Sequence, residues 1–109
     1  MVKPPSEPIY GQGACEVGRN SWLYQSWSEG FAGMYIYRDE LVLSMSFRRY
    51  SFPREKVLII HRYRHLLKTG LKIKHAVEDY PPYMVFYPAD IVEMEEALDA
   101  NGFPLGQTI

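Results

Sequence analysis

The clearest pattern of hydrophobic and polar positions lies between residues 33 and 47. Apolar side chains recur at every second position from Leu41 to Phe47, with valine or serine between them. This period of two is typical of a strand with one buried face. The polar residues 38–40 separate this strand from a shorter apolar run at 34–37. The stretch therefore predicts a two-stranded hairpin, with Phe47 on the buried face, against which the rest of the chain can pack.

Further strands are predicted on both sides of this hairpin. The first lies at 21–28 and is followed by a turn at 29–33, and the second, at 48–55, is basic and ends in a turn. Two more lie at 71–77 and at 83–87, and the strand at 83–87 is apolar on both faces. Residues 1–20 hold three of the eight prolines and three of the eight glycines without a sustained period. We interpret residues 1–20 as an N-terminal arm or an irregular edge strand, and residues 21–109 as the domain itself.

The segment 56–68 fits two structures. As a helix it would have Pro53 near its first turn and Gly70 at its C-terminal cap. As a strand it has a run rich in β-branched residues at 57–60. Alternation along this strand places residues 57, 59, 61, 63, 65 and 67 on one face and Arg62 and Arg64 on the other. We favour the strand, and the choice between strand and helix stays open at this point.

The last predicted element is a helix with both ends marked in the sequence. Asp90 is the expected N-cap, with Glu93 three residues later, and Gly102 follows the last turn. An apolar stripe at residues 91, 94 and 98 would pack on the sheet. The order of elements is thus six or seven antiparallel strands and one C-terminal helix, which can cover the open end of a bent sheet.

Several short motifs follow one another along the chain, and their order indicates a fold. They are Gly33-Met34-Tyr35-Ile36-Tyr37 with the strand 40–43, then Phe52-Pro53 before the strand 57–60, then 70–73 and the terminal helix. Over roughly residues 21–105 this arrangement resembles the bacterial branch of pleckstrin-homology-like (PH/GRAM-like) domains. The resemblance implies an α+β fold that is mainly β, with a bent antiparallel sheet or partly open barrel capped by the helix. It implies a binding or assembly module and assigns no ligand residue.

Composition limits the class of protein. The chain has 109 residues, of which 47% are hydrophobic and 15% aromatic, which is enough for one core. Cys15 is the single cysteine, so an intramolecular disulfide is excluded and a reducing compartment is expected. The N-terminal residues do not resemble a secretory signal, and no apolar run is long enough to span a bilayer. We therefore expect a soluble cytoplasmic protein.

The net charge of −1 conceals a strong segregation of charge along the chain. Residues 1–47 carry three basic and five acidic side chains, residues 48–75 carry nine and one, and residues 76–109 carry none and seven. If the strands at 57–67 and 71–77 are neighbours with apolar sides inward, four side chains project together as a basic face: Arg62, Arg64, Lys72 and Lys74. This face predicts contact with phosphate-bearing ligands or anionic lipid. A simpler interpretation is a solvated face balanced by the acidic helix of the same or a neighbouring chain.

Exposed aromatic residues support a second hypothesis, an interface with a protein partner or with a second copy of the chain. The candidates are Trp22, Tyr24, Tyr35 and Tyr37, together with Tyr80. Complementary basic and acidic regions favour such association, and aromatic side chains commonly form the centre of an interface. The simpler interpretation of these residues is packing against the N-terminal arm.

The sequence contains no pattern typical of an enzyme, a metal site or a cofactor site. A nucleophile with its base, paired carboxylates and a glycine-rich phosphate loop are not present at recognisable spacing. His61 and His65 would be neighbours on a helix, but on a strand they are about 13 Å apart at about 3.3 Å per residue. Tyr63 lies on the opposite face of the predicted strand from its flanking arginines, which argues against single-stranded nucleic acid. We predict a non-enzymatic interaction or assembly module, with peripheral binding of anionic lipid or phosphate-bearing ligands as the alternative.

Overall fold

The chain forms one antiparallel sheet followed by a helix. The computed structural model describes residues 8–108. Its strands are β1 (Ile9–Gly18), β2 (Tyr24–Ile36), β3 (Glu40–Met45), β4 (Arg48–Pro53), β5 (Val57–His65), β6 (Lys68–His75) and β7 (Tyr83–Pro88), with a 3₁₀ turn at Arg54–Lys56 and a helix α1 at Ile91–Ala100. The strand order is β4-β3-β2-β1-β7-β6-β5, and each pairing is antiparallel.

The sheet curls into a half-barrel, and this confirms the predicted fold class. Strands make up 58% of the structure, and seven antiparallel strands with one C-terminal helix fit a PH-like α+β fold. The main hydrophobic cluster fills the inner face of the curl, where Met34, Leu43, Phe52, Ile73 and Phe86 are each fully buried. Burying a side chain of this size stabilises a fold by about 1.5–3 kcal/mol, so the inner face provides most of the core energy.

Helix α1 covers this core with the ends that the sequence predicts. The Asp90 carboxylate accepts a hydrogen bond from the Glu93 backbone N–H at 3.0 Å, as an N-cap does. Gly102 adopts φ +81° after the last turn, and the Phe103 N–H donates to the Leu98 carbonyl at 3.0 Å. The predicted apolar stripe is confirmed: Met94 and Leu98 are buried and Ile91 packs against the core.

The residues after the helix cover the edge of β5. The Ile60 N–H donates to the Pro104 carbonyl at 2.9 Å, and the Gly106 N–H donates to the Ile60 carbonyl at 2.8 Å. Leu105 thereby forms a parallel bridge with Ile60. This segment satisfies backbone groups that an open strand edge would leave available for pairing with another chain.

Several strand predictions are confirmed by the pairing. The hairpin at 33–47 is formed by β2 and β3, with Tyr35 opposite Val42. The favoured strand at 56–68 is β5 and not a helix. The predicted two-sided burial of β7 is also confirmed, because all five residues from Tyr83 to Tyr87 are buried.

The predicted arm or edge strand at 1–20 is wrong for residues 9–18. These residues form β1, which lies inside the sheet between β2 and β7, while residues 1–7 lie outside the described part of the chain. The alternation of apolar and polar residues in β1 was not visible in the sequence, because position 13 is a glycine and has no side chain. Only glycine fits there, since a Cβ would lie 2.1 Å from the Tyr87 carbonyl oxygen of β7. A register shift between Gly13 and Cys15 also interrupts the alternation.

Three predictions around β2 and β3 need correction. Residues 29–33 do not form a turn, because β2 continues through them with Gly30 at φ +93°. Residues 21–23 precede β2 and belong to its loop with β1. Phe47 is not on the buried face: β3 ends at Met45, and Phe47 is fully exposed in the following turn with φ +65°.

No helix within residues 8–108 has the length and apolar character needed to cross a membrane.

Candidate functional site

The structure divides the predicted basic face between the two faces of the sheet. The prediction placed four side chains together: Arg62, Arg64, Lys72 and Lys74. In the structure Arg62 stands opposite Leu71 of the core, whereas Lys72 stands opposite His61. Side chains directly opposite one another on neighbouring strands share a face. Arg62 and Arg64 therefore lie on the inner side and Lys72 and Lys74 on the outer side, so the prediction of one basic face is wrong.

A bulge at Leu58 explains this error. Val57 pairs with His75 and Ile59 pairs with Lys74, so β5 has one more residue than β6 between these two pairs. As a result Ile60, which is 1% exposed, occupies the core position that simple alternation assigns to Ile59. Every residue after the bulge has the opposite orientation to the predicted one, because the side-chain period of a strand is two.

Arg62 has a partner within the chain. Its Nε donates to both carboxylate oxygens of Glu95 on α1 at 2.9 Å, and one terminal nitrogen lies 2.6 Å from Glu95 Oε1. The hydrogen bond and the charge of Glu95 raise the pKa of Arg62. This bidentate pair joins β5 to the acidic helix, so part of the charge segregation along the sequence is matched inside the molecule.

Lys72 lies over aromatic rings of the outer face. Its Nζ is 4.8 Å from the ring centroid of Tyr63 and 5.4 Å from that of Tyr83, which are cation–π distances. Lys74 follows on the same face and is exposed. The outer face thus combines cations with tyrosines, an arrangement that β-strand alternation alone did not predict.

A buried carboxylate lies at the centre of this outer face. Glu16 is 6% exposed, and its Oε1 accepts hydrogen bonds from the hydroxyls of Tyr83 at 2.8 Å and Tyr87 at 2.9 Å. His65 Nδ1 lies 3.0 Å from the same oxygen. We call these four residues, Glu16, His65, Tyr83 and Tyr87, the outer polar cluster. Sequence reasoning missed Glu16 because its strand was interpreted as an arm.

The hydroxyls of Tyr83 and Tyr87 in the outer polar cluster keep their protons. Burial raises the pKa of Tyr83 and of Tyr87, and their hydrogen bonds to the Glu16 carboxylate raise both further. The neighbouring thiol, Cys15, faces the inner core, where burial raises its pKa to about 12. The cluster joins β1, β5 and β7, and its two phenols resist ionisation, which is the behaviour of a structural cluster.

A groove of about 770 Å³ lies beside the loops β1–β2 and β6–β7. Its apolar and aromatic lining comes from Val17, Trp22, Leu23, Tyr24, Tyr80, Pro81 and Pro82. Trp22 is 89% exposed and Leu23 is 61% exposed. Charged side chains of both signs border the groove: Arg19, Arg48, Glu78 and Asp79.

Both walls of the groove are held by hydrogen bonds or ring packing. The Asn20 side-chain oxygen accepts from the backbone N–H of Trp22 at 2.8 Å and of Leu23 at 3.0 Å, which fixes the β1–β2 loop. On the other wall, the Tyr80 hydroxyl accepts from the Ser51 N–H at 3.1 Å, and its ring packs 5.3 Å from that of Phe52. The groove is therefore formed before any ligand binds, which lowers the entropy cost of binding.

The structure brings together only part of the predicted aromatic interface. Trp22, Tyr24 and Tyr80 line the groove. Tyr35 lies near the opposite end of β2 on the outer face, with its ring 4.7 Å from that of Tyr10. Tyr37 follows β2 and is half-buried. Three of the five predicted aromatic residues therefore lie together in the groove, next to exposed apolar side chains.

Two comparisons limit what can be inferred from relatives. A scan against protein-family models finds no match, and a search of curated proteins finds no similar sequence. Within residues 8–108 no group of three or more His, Cys, Asp or Glu side chains is placed to hold a metal ion. The geometry of the groove is therefore the main guide to function.

Proposed function

We propose that this chain is a non-enzymatic interaction module of PH-like fold that binds a segment of a partner protein in the groove. The observation that carries this proposal is Trp22, a large aromatic side chain that is 89% exposed at the border of a preformed apolar groove. Tryptophan and tyrosine are the residues that most often dominate the binding energy of protein interfaces. The single cysteine fits a cytoplasmic setting for this interaction.

The charges around the groove favour a polypeptide over a purely anionic ligand. Arg19 and Arg48 are balanced by Glu78 and Asp79, so the border has no net charge. A peptide can present both signs of charge and apolar side chains between them, whereas an anionic surface would be repelled by the two carboxylates. Lipid binding through one basic sheet face has less support, because the four basic residues do not share a face.

Selection of peptides on the purified protein tests this proposal. Peptides from a displayed random library would be selected on the wild type, and their affinity would be measured with the double variant Trp22→Ser/Leu23→Ser. Loss of a central aromatic anchor costs about 2 kcal/mol or more, so we expect affinity to fall by about 30-fold. The matched control is Leu58→Ser, which removes an equally exposed leucine, 57% exposed, from β5.

Two results separate the outcomes. Selected peptides that bind the double variant as tightly as the wild type would contradict the proposal, since the groove would then not be their site. Light scattering on the same proteins asks whether the occupant is a second copy of the chain. In that case the wild type forms an oligomer that dissociates in the double variant and persists in the Leu58→Ser control.

A further inference from the structure

The turn between β5 and β6 exposes two leucines at its tip. Leu66 is 78% exposed and Leu67 is 93% exposed. Leu66 also has φ +58°, a left-handed conformation that is unfavourable for residues with a Cβ and that glycine or asparagine adopts more easily. The turn therefore combines an unfavourable backbone conformation with exposed apolar side chains. Neither leucine is buried against the rest of the chain, so no packing energy offsets these two costs. We define residues 64–68 as the hairpin tip.

Basic side chains flank the hairpin tip on both sides. Residues 56–75 contain six Lys or Arg and no Asp or Glu. Arg64 pairs with Thr69 and His65 pairs with Lys68, so Arg64 and Lys68 lie on opposite faces of the hairpin. Both are exposed. The bulge at Leu58 thus places cations on the two sides of the leucine pair and not together on one face.

Two residues of the hairpin tip, His65 and Lys68, hold it against the outer face of the sheet. His65 Nδ1 lies 3.0 Å from the buried carboxylate oxygen of Glu16, and Lys68 Nζ lies 5.4 Å from the ring centroid of Tyr87. Two acidic side chains lie beside the tip: the buried Glu16, which contacts His65, and Glu29, which lines a small surface pocket together with Lys68. The leucines are therefore presented from a fixed base, and ordering them on binding costs little entropy.

We propose that the hairpin tip inserts Leu66 and Leu67 into the interfacial region of an anionic bilayer, while Arg64 and Lys68 contact the lipid headgroups. Charge complementarity favours this occupant, because the exposed Arg64 and Lys68 flank the two leucines and residues 56–75 contain no acidic side chain, so the tip is attracted to a negative surface. The shape of the tip also favours it. Two leucines on a projecting turn form too small a patch for a stable protein interface, which needs about 800 Å² on each partner, but they can enter a deformable lipid surface.

This membrane contact is independent of the proposed groove. No residue of β5, β6 or their turn lines the groove, so variants of one site leave the other unchanged. The two proposals can therefore fail separately. A tip variant that loses membrane binding is expected to keep its affinity for peptides selected on the groove.

Co-sedimentation with lipid vesicles tests the proposal. The probes are vesicles of phosphatidylcholine mixed with phosphatidylserine, beside vesicles of phosphatidylcholine alone. The tip variant Leu66→Asn/Leu67→Ser removes the apolar side chains and places asparagine where φ is positive, so folding is not impaired. The matched control Trp22→Ser/Leu23→Ser removes two exposed apolar residues from another loop.

The wild type is expected to sediment with the anionic vesicles and not with the neutral ones, and increasing salt should weaken its binding. In the tip variant the partition coefficient should fall by about tenfold or more, because the inserted apolar surface is lost. The control should bind as the wild type does. Absence of wild-type sedimentation, or equal sedimentation of the tip variant, would overturn the proposal. A tip-dependent oligomer in light scattering without sedimentation would also overturn it and would assign the tip to a second copy of the chain.

Discussion

Replacement of Glu16 by glutamine is the most direct test of the outer polar cluster. Glu16 is 6% exposed, and its Oε1 accepts from the hydroxyls of Tyr83 and Tyr87 and lies 3.0 Å from His65 Nδ1. Glutamine has nearly the same shape and retains one oxygen acceptor. The substitution therefore removes the negative charge from all three hydrogen bonds and leaves the packing almost unchanged.

The expected loss of stability follows from these three contacts. A hydrogen bond to a charged group contributes about 1.5–3 kcal/mol, and a bond between neutral groups contributes about 1 kcal/mol. The three losses are not additive because they share one oxygen, and removal of a buried charge offsets part of them. We expect the free energy of unfolding to fall by about 2 kcal/mol. For a domain of this size that corresponds to a decrease in Tm of about 8–16 °C.

Urea unfolding followed by circular dichroism at neutral pH measures this difference. The control is Glu29→Gln, which removes a carboxylate from an exposed position of β2 and should change stability by less than about 0.5 kcal/mol. Tyr87→Phe completes a double-mutant cycle. It should cost about 1.5–3 kcal/mol in the wild type and about 1 kcal/mol or less in the Glu16→Gln background, since the bond it removes is weaker there.

Two results would refute this reasoning. If Glu16→Gln were as stable as the wild type or more stable, the cost of burying the carboxylate would equal or exceed the energy of its hydrogen bonds. If Tyr87→Phe had the same effect in both backgrounds, the hydroxyl and the carboxylate would not be coupled. In either case the hydrogen bonds of the outer polar cluster would not add to the stability that strand pairing already gives the sheet.

Three further predictions concern pH, the helix cap and a strained turn. Because burial raises the pKa of Tyr83 and Tyr87, the two phenols contribute fully to stability below the unfolded phenol pKa of about 10, and this contribution is lost as the pH rises above that value. Urea midpoints measured from neutral to alkaline pH should therefore fall above about pH 10. A profile that stays flat over this range would contradict the prediction. Asp90→Ala should lower the free energy of unfolding by about 1 kcal/mol, because the Glu93 N–H loses its acceptor; an unchanged urea midpoint would show that the cap does not stabilise α1. Phe47→Gly should raise thermal stability by about 0.5 kcal/mol, because relief of the left-handed conformation exceeds the added entropy of glycine, and a lower Tm would be inconsistent with strain at this turn.

The parts of the fold that the sequence predicted depend on neighbouring residues. The alternation at 41–45 identified β3, and the alternation at 71–75 identified the core and outer faces of β6. The ends of α1 were predicted because Asp90 and Gly102 act on backbone groups only a few residues away. These interactions are local, so their pattern can be read along the chain.

The groove could be predicted only in part. Trp22 and Tyr24 were identified as interface candidates from their residue type. Their partners on the other wall, Pro81 and Pro82, are almost sixty positions away in the sequence and were interpreted as a loop. No sequence pattern joins the two loops, because they meet only when β1 pairs with β7.

The sequence by itself determined the number and type of most elements, the caps of the helix and the segregation of charge. Tertiary structure alone decided that β1 is an inner strand, that the bulge at Leu58 reverses the orientation of Arg62, and that Glu16 is buried beneath two tyrosines. The physical reason is that strand register depends on packing between residues far apart in the chain. A shift of one residue exchanges the two faces of a strand, so local alternation cannot say which side chains share a site.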